Sequence, residues 1–195
     1  MKRRTTILLL AVVSLITAVF PTTAHAADTK GVSASFAGPQ SVALTPHIAE
    51  KDHRAEILQS FIEQYNSPLA EHADTLVKQA DANNIDWRMV AAISGVESQF
   101  GIQIPGYSFN GWGFGVYGNN VRYFTSWDDG ISTVSTALRQ EYMNQRGATN
   151  IYSIGATYAA DPAWASKVQN YMDQIDAYGD QYIKRTTNPT LSISL

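Results

Sequence analysis

The residue best placed to do chemistry is Glu97. It lies in the stretch DWRMVAAISGVESQFGIQIPGYSFNGWGFGVY, residues 86–117. Trp87, Val90, Ile93 and Phe100 recur there at three- and seven-residue spacings, the pattern of a helix. Asp86 is placed to act as its N-cap, because a carboxylate accepts from the free N–H groups of a first turn. Glu97 follows Ile93 by four residues and Val90 by seven, which puts it on the same apolar face near the helix end. A carboxyl buried there loses hydration in its charged form and holds its proton more tightly. The alternative is a surface glutamate at a fraying end. Asp86 lies roughly 16 Å away along the axis at the rise of a helix, too far to form a carboxylate pair with Glu97.

Around Glu97 stand other polar and aromatic groups. Ser98 could orient the carboxylate or a sugar, or simply end the helix; no histidine lies near it in sequence to make it a nucleophile. Tyr107, Phe109, Trp112, Phe114 and Tyr117 are interleaved with glycines. Such rings suit stacking on sugar faces, or they form a small satellite core under a long loop. His47, His53 and His72 have no metal-ligand spacing and read as surface residues, so no metal or cofactor is expected. Asp128, Asp129 and Asp161 sit where helices begin, and their charge complements the helix dipole there.

These groups need elements to hold them. Ile57, Leu58, Phe61, Ile62 and Tyr65 form one helical stripe, in a helical pattern that begins at His47. Ser67-Pro68 restarts the chain as cap and first turn of a second helix to about Ala82, stopped by Asn83-Asn84. The Glu97 helix is third. Residues 101–125 carry repeated glycines and Asn-Gly and Pro-Gly pairs, so they predict an irregular loop. Ser126 then caps a long helix through about Gln145, with Ile131, Val134, Leu138 and Tyr142 inward. Ile151 to Ala156 can form a short helix. Asp161-Pro162 starts the last one, with Trp164, Val168, Met172 and Ile175 as its buried face. The fold class expected is mainly α, one domain of about six helices with a glycine- and aromatic-rich cleft loop.

The ends of the chain read differently. Lys2, Arg3 and Arg4 precede an apolar run from Ile7 to Phe20, and Ala24-His25-Ala26 has the A-x-A form of a cleavage site. Residues 1–26 therefore read as a secretory signal peptide rather than a stable membrane span; an uncleaved anchor is the alternative. Residues 27–46 read as a flexible leader, residues 47–183 as the folded domain, and residues 184–195 as a disordered tail. Removing residues 1–26 takes 14 basic against 17 acidic residues to 11 against 17, a net charge of −6. No basic stripe is present, which argues against nucleic-acid binding. With no cysteine, a secreted chain must rely on its core rather than on disulfides.

Glu97-Ser98 at the end of DWRMVAAISGVES resembles the catalytic helix of lysozyme-like peptidoglycan-cleaving enzymes, above all soluble lytic transglycosylases. TYAADPAWASKV, from Thr157 to Val168, resembles a Tyr-x-x-Asp-Pro-x-aromatic-Ala-x-Lys-Val segment of the related glucosaminidase autolysins. SWDDGISTVSTAL resembles the helix between these two segments. The likeness spans roughly Leu69 to Gln181. It implies a lysozyme-like fold, Glu97 as catalytic acid, and Ser98, Trp112, Tyr117 and Tyr158 as residues that bind sugar or shape the site. It also implies peptidoglycan glycan strands as the partner; with the leader read above, the protein is expected to be a monomer secreted from a bacterium or associated with its cell wall. The chain departs from the transglycosylase pattern where Gly113-Phe114-Gly115-Val116-Tyr117 replaces a Gly-Leu-Met-Gln-like segment, so Tyr117 would stand in for the glutamine. An Ala-Tyr-Asn-Ala-Gly segment is also absent, and Tyr158 would serve for its tyrosine.

From Ser98 to Trp127 there is no Asp or Glu. Ordinary glycosidases use two carboxylates, so a single acid suits a transglycosylase, in which the sugar's own C6 hydroxyl replaces water. Substrate-assisted hydrolysis through an N-acetyl group would also need one acid. A muramidase or N-acetylglucosaminidase on the same scaffold and a non-catalytic wall-binding protein remain the alternatives.

Overall fold

A computed structural model describes residues 51–116 and 120–187. The expectations for residues 1–26 and 27–46, for Tyr117 and for residues 188–195 lie outside the described residues.

The described chain is mainly helical, with no strand among the described residues. Its helices are α1 (Arg54–Glu63), α2 (Ala73–Asn83), α3 (Met89–Ser98), α4 (Trp127–Ala137), α5 (Ile151–Tyr158) and α6 (Trp164–Thr187). A 3₁₀ turn, Pro68–His72, leads into α2, and a π-helical segment, Leu138–Gln145, continues α4. None of these helices is long and apolar enough to cross a membrane.

The helix boundaries follow local chemistry. Ser67 Oγ accepts from Leu69 N and caps the 3₁₀ turn, with Pro68 at its start. Asn84 closes α2 in the left-handed conformation, φ 48°, which asparagine tolerates better than most residues. Ser126 Oγ accepts from Asp129 N and caps α4. Asn150 and Ser153 form a reciprocal capping box at α5, which runs to Tyr158. Two expected starts shift. Helix α3 begins at Met89, and Asp86 instead accepts from Arg88 N and pairs with the Arg88 guanidinium. Asp161 Oδ1 accepts from Ala163 N in the turn that feeds α6 at Trp164. Helix α6 also continues through residues 184–187, which the sequence assigns to the tail.

At the centre is α3. Met89 to Gly95 are all buried, so this helix is enclosed by others rather than presenting a single apolar stripe. It packs against α6; α2 packs against α4, and α1 and α5 both lie on α6. The residues expected inward on α1, α4 and α6 are inward: Ile57, Leu58, Phe61 and Ile62; Ile131, Val134, Leu138 and Tyr142; Trp164, Val168, Met172 and Ile175.

The end of α3 is unusual. Gln99 and Phe100, neither of them glycine, both have positive φ, 53° and 58°. Such conformations cost about 1–3 kcal/mol each and persist only when their surroundings impose them. Here the Phe100 ring is fully buried, with its centroid 4.6 Å from Tyr65, 5.1 Å from Tyr171 and 6.0 Å from Phe61. Residues of α1, α6 and the α1–α2 connection thus clamp the point at which the chain leaves α3.

Candidate active site

Glu97 occupies the last turn of α3, where the helix emerges from the core. The periodic argument for burying it holds only in part. Val90 and Ile93 are fully buried, whereas Glu97 as a residue is exposed. Its carboxyl is the enclosed end. Oε1 accepts a 2.6 Å hydrogen bond from Trp164 Nε1. Oε2 lies against Gly113, so closely that a Cβ on that residue would fall 2.8 Å from it. Gly113 also has φ +59°, a conformation glycine adopts without steric cost. Burial raises the Glu97 pKa above the ordinary carboxyl value, and the Trp164 hydrogen bond, which favours the charged form, opposes that rise.

Tyr158, at the end of α5, stacks on Trp164 with ring centroids 4.7 Å apart and planes 20° from parallel. Its hydroxyl donates to the Trp112 carbonyl at 2.8 Å. Burial first, then the nearby charge of Glu97 and the Tyr142 hydroxyl, push its pKa well above the usual phenol value. Tyr158 is therefore a neutral hydrogen-bond donor beside Glu97 at any physiological pH.

Two of the residues expected to bind sugar or shape the site are enclosed within the fold. Trp112 is fully buried, donates its Nε1–H to the Val90 carbonyl at 2.9 Å, and packs edge-on to Trp127. No face of it is open for stacking on a ligand. Ser98 is also buried: its Oγ donates to Gly111 O at 2.7 Å and accepts from Gly101 N at 2.8 Å. It bolts the loop to α3 and so shapes the site without facing it. The satellite-core alternative describes much of the aromatic loop. Phe109 packs edge-on to Trp127 and Phe114 lies under Arg122, while Tyr107 is exposed.

Asn110, which sequence reasoning passed over, is the clamp inside that loop. Its side chain is nearly buried, accepts from Phe114 N, and donates to the carbonyls of Phe114 and Arg122. The asparagine of an Asn-Gly pair is most simply read as a turn residue, so nothing local marks this role. Trp164 was expected inward and is buried. That its N–H reaches Glu97, 67 residues away in the chain, is a property of the α3–α6 packing.

Beside Gly113 and Tyr158 opens a cavity of about 560 Å³, lined also by Phe114, Arg122, Glu141 and Arg146 among others. Glu141, Tyr142 and the approach to Arg146 belong to the π-helical segment, a winding often found at functional sites. A further depression shares Phe114, Arg122 and Glu141 and runs along α4. Glu141 thus lines the same cavity as Gly113, the residue that Glu97 Oε2 lies against, although the loop between Ser98 and Trp127 supplies no acid. Another cavity of about 540 Å³ lies at the opposite end of α3. There Arg88 is committed to Asp86 and Asp176, and Arg139 to the Asn83 carbonyl.

The arrangement can donate and recover a proton at one carboxyl beside an open, partly polar cavity. Among the described residues no group of three or more His, Cys, Asp or Glu could hold a metal ion. His53 pairs with Glu56, and His72 with Asp128. No protein-family model matches this chain, and no curated protein matches it.

Proposed function

We propose that the protein is a lysozyme-like enzyme, secreted or wall-associated, that cleaves peptidoglycan glycan strands between N-acetylmuramic acid and N-acetylglucosamine as a lytic transglycosylase. The observation that carries this reading is the Glu97 carboxyl. It is held by Trp164 N–H and Gly113 at the edge of a cavity, with its proton affinity raised. A general acid needs a pKa nearer to neutrality than a free carboxyl has.

In this mechanism protonated Glu97 gives its proton to the glycosidic oxygen as the C1–O bond breaks. The resulting carboxylate stabilises the positive charge that develops at C1. It then takes the proton of the muramyl C6 hydroxyl, whose oxygen bonds to C1 and closes a 1,6-anhydro ring. Glu97 ends protonated, ready for another cycle. Trp164 orients the carboxyl throughout, and Tyr158, stacked on Trp164, donates to the loop carbonyl of Trp112 and so ties the loop to that pair.

A hydrolase is the second reading, and Glu141 is the observation that favours it. A carboxylate lining the same cavity is available to activate water. Mass spectrometry of soluble products from purified peptidoglycan tests both. Anhydro ends, one water lighter than hydrated ends, with full activity in Glu141→Gln, support the transglycosylase. Hydrated reducing ends, lost in Glu141→Gln, make the protein a two-acid hydrolase. Undiminished cleavage by purified Glu97→Gln refutes both, and strand binding without any released product leaves a wall-binding protein.

A further inference from the structure

The chain is acidic overall, with 17 acidic against 14 basic residues, yet the cavity beside Glu97 carries two arginines, Arg122 and Arg146. Among the described residues neither makes an ion pair. Asp129 feels the charge of Arg122 only weakly and is committed to the N–H and hydroxyl of Thr125.

The two guanidiniums are held by aromatic faces instead. Arg122 lies 5.3 Å from the ring centroids of both Phe114 and Phe124, and its stem packs on Gly115. Its backbone carbonyl is fixed by Asn110. Arg146 lies 4.8 Å from the ring centroid of Tyr142. Stacking uses the flat face of a guanidinium and leaves the N–H donors around its edge available. Those donors match a carboxylate in a bidentate geometry. The arginines of the other large cavity, by contrast, already spend donors on protein oxygens.

We infer that the Arg122–Arg146 cavity binds a carboxylate carried by the side branch of the glycan, and that these two arginines make the enzyme prefer strands with that carboxylate free. This rests on the peptidoglycan reading above. The neutral sugars of the strand give a guanidinium no ionic partner. The muramyl branch does: its lactyl group is a carboxylate when bare, and a stem peptide attached to it carries carboxylates of its own. Glu141, in the same cavity, offsets one of the two positive charges and so disfavours more than one bound carboxylate.

The test measures kcat/KM of the full chain on three preparations: peptidoglycan with free carboxyls, the same material with its carboxyls converted to amides, and strands stripped of stem peptides. The expected preference for free over amidated carboxyls is about tenfold, the effect of one charge-assisted hydrogen-bond pair. It should collapse towards one in the double variant R122Q/R146Q and recover only in part in R122K/R146K. Stripped strands are the preparation in which the lactyl carboxylate is free: if they are favoured over the amidated material and lose that advantage in R122Q/R146Q, the site takes the lactyl carboxylate; if they behave like the amidated material, it takes a carboxylate of the stem peptide. Equal rates on all three preparations, or a double variant slowed equally on all three, overturn the inference while leaving the cleavage reading intact. If no preparation is cleaved, the cleavage reading fails by itself. Binding of N-acetylmuramic acid and of muramyl dipeptide, each against its amide, then decides: a preference in either pair that is lost in R122Q/R146Q supports the carboxylate site, and no preference in both overturns it. Circular dichroism of both double variants excludes misfolding as the cause.

Discussion

Replacing Trp164 with phenylalanine should raise the pKa of Glu97 by about one unit. The indole Nε1–H donates to Glu97 Oε1 at 2.6 Å and stabilises the charged form. A hydrogen bond to a charged group contributes about 1.5–3 kcal/mol, and one pKa unit corresponds to about 1.36 kcal/mol. Because Glu97 is exposed as a residue, the lower end applies, hence about one unit. Burial already pushes the pKa up, so the donor's loss adds to that rise. The assay is a direct carboxyl titration by NMR with carbon-labelled glutamate, with the pH dependence of kcat/KM beside it. The limb that reports deprotonation of the acid should move to higher pH by the same amount. The substitution also loosens the stack on Tyr158 and should cost about 1–2 kcal/mol of stability as a partial truncation in the core, a packing loss that is nearly constant with pH and to which the raised carboxyl pKa adds a loss that grows as pH rises. An unchanged or lowered Glu97 pKa refutes the argument, since it would mean that the indole shields the carboxyl from water more than it donates to it.

Three further predictions follow from the same geometry. Glu97 has a raised pKa when folded, so the folded state binds more protons than the unfolded chain between the ordinary carboxyl value, about 4.3, and the raised one; stability therefore falls as pH rises through that window. Glu97→Gln, which still accepts from Trp164, should melt higher than the parent at pH 7 and equally below about pH 4, and thermal unfolding at a series of pH values checks this. Gly113→Ala should both strain a positive-φ position, at a cost of about 1 kcal/mol or more, and push the carboxyl aside. Turnover should then fall by more than the small stability loss explains, and wild-type kinetics would show that the contact with Oε2 is unimportant. Ser98→Ala strands the buried Gly111 carbonyl and the Gly101 N–H and should cost about 1–3 kcal/mol in urea unfolding, whereas a loss of only a few tenths would show that water replaces the hydroxyl.

Much of the scaffold is legible in the sequence because helices are local. The stripe Ile131, Val134, Leu138, Tyr142 and the caps Ser67 and Ser126 depend on neighbours within a few residues, and each is found where the pattern places it. Even the winding change at Leu138 leaves that stripe buried. The glycine-aromatic loop is different, for it has no period from which to tell inward from outward. Trp112 and Tyr107 look alike in sequence, yet one is fully buried and the other almost fully exposed. Glu97 could be singled out from its spacing, but its surroundings could not. Trp164 comes from a distant segment, and the packing of α3 against α6 brings it to Glu97; Glu141 and Arg146 meet Arg122, from another segment, in the cavity that Gly113 and Tyr158 also line.

The left-handed close of α3 has a consequence for how the acid is enclosed. Phe100 is seated by Phe61 and Tyr65 from the N-terminal side and by Tyr171 from α6, and α6 also brings Trp164 to Glu97. The local sequence around Glu97 does not favour its own geometry, since Gln99 and Phe100 are held where few side chains rest unaided. Without α6 docked, Trp164 would not reach Glu97 and Tyr171 would not seat Phe100. The enclosure of this one carboxyl therefore depends on the two ends of the domain meeting around one phenylalanine.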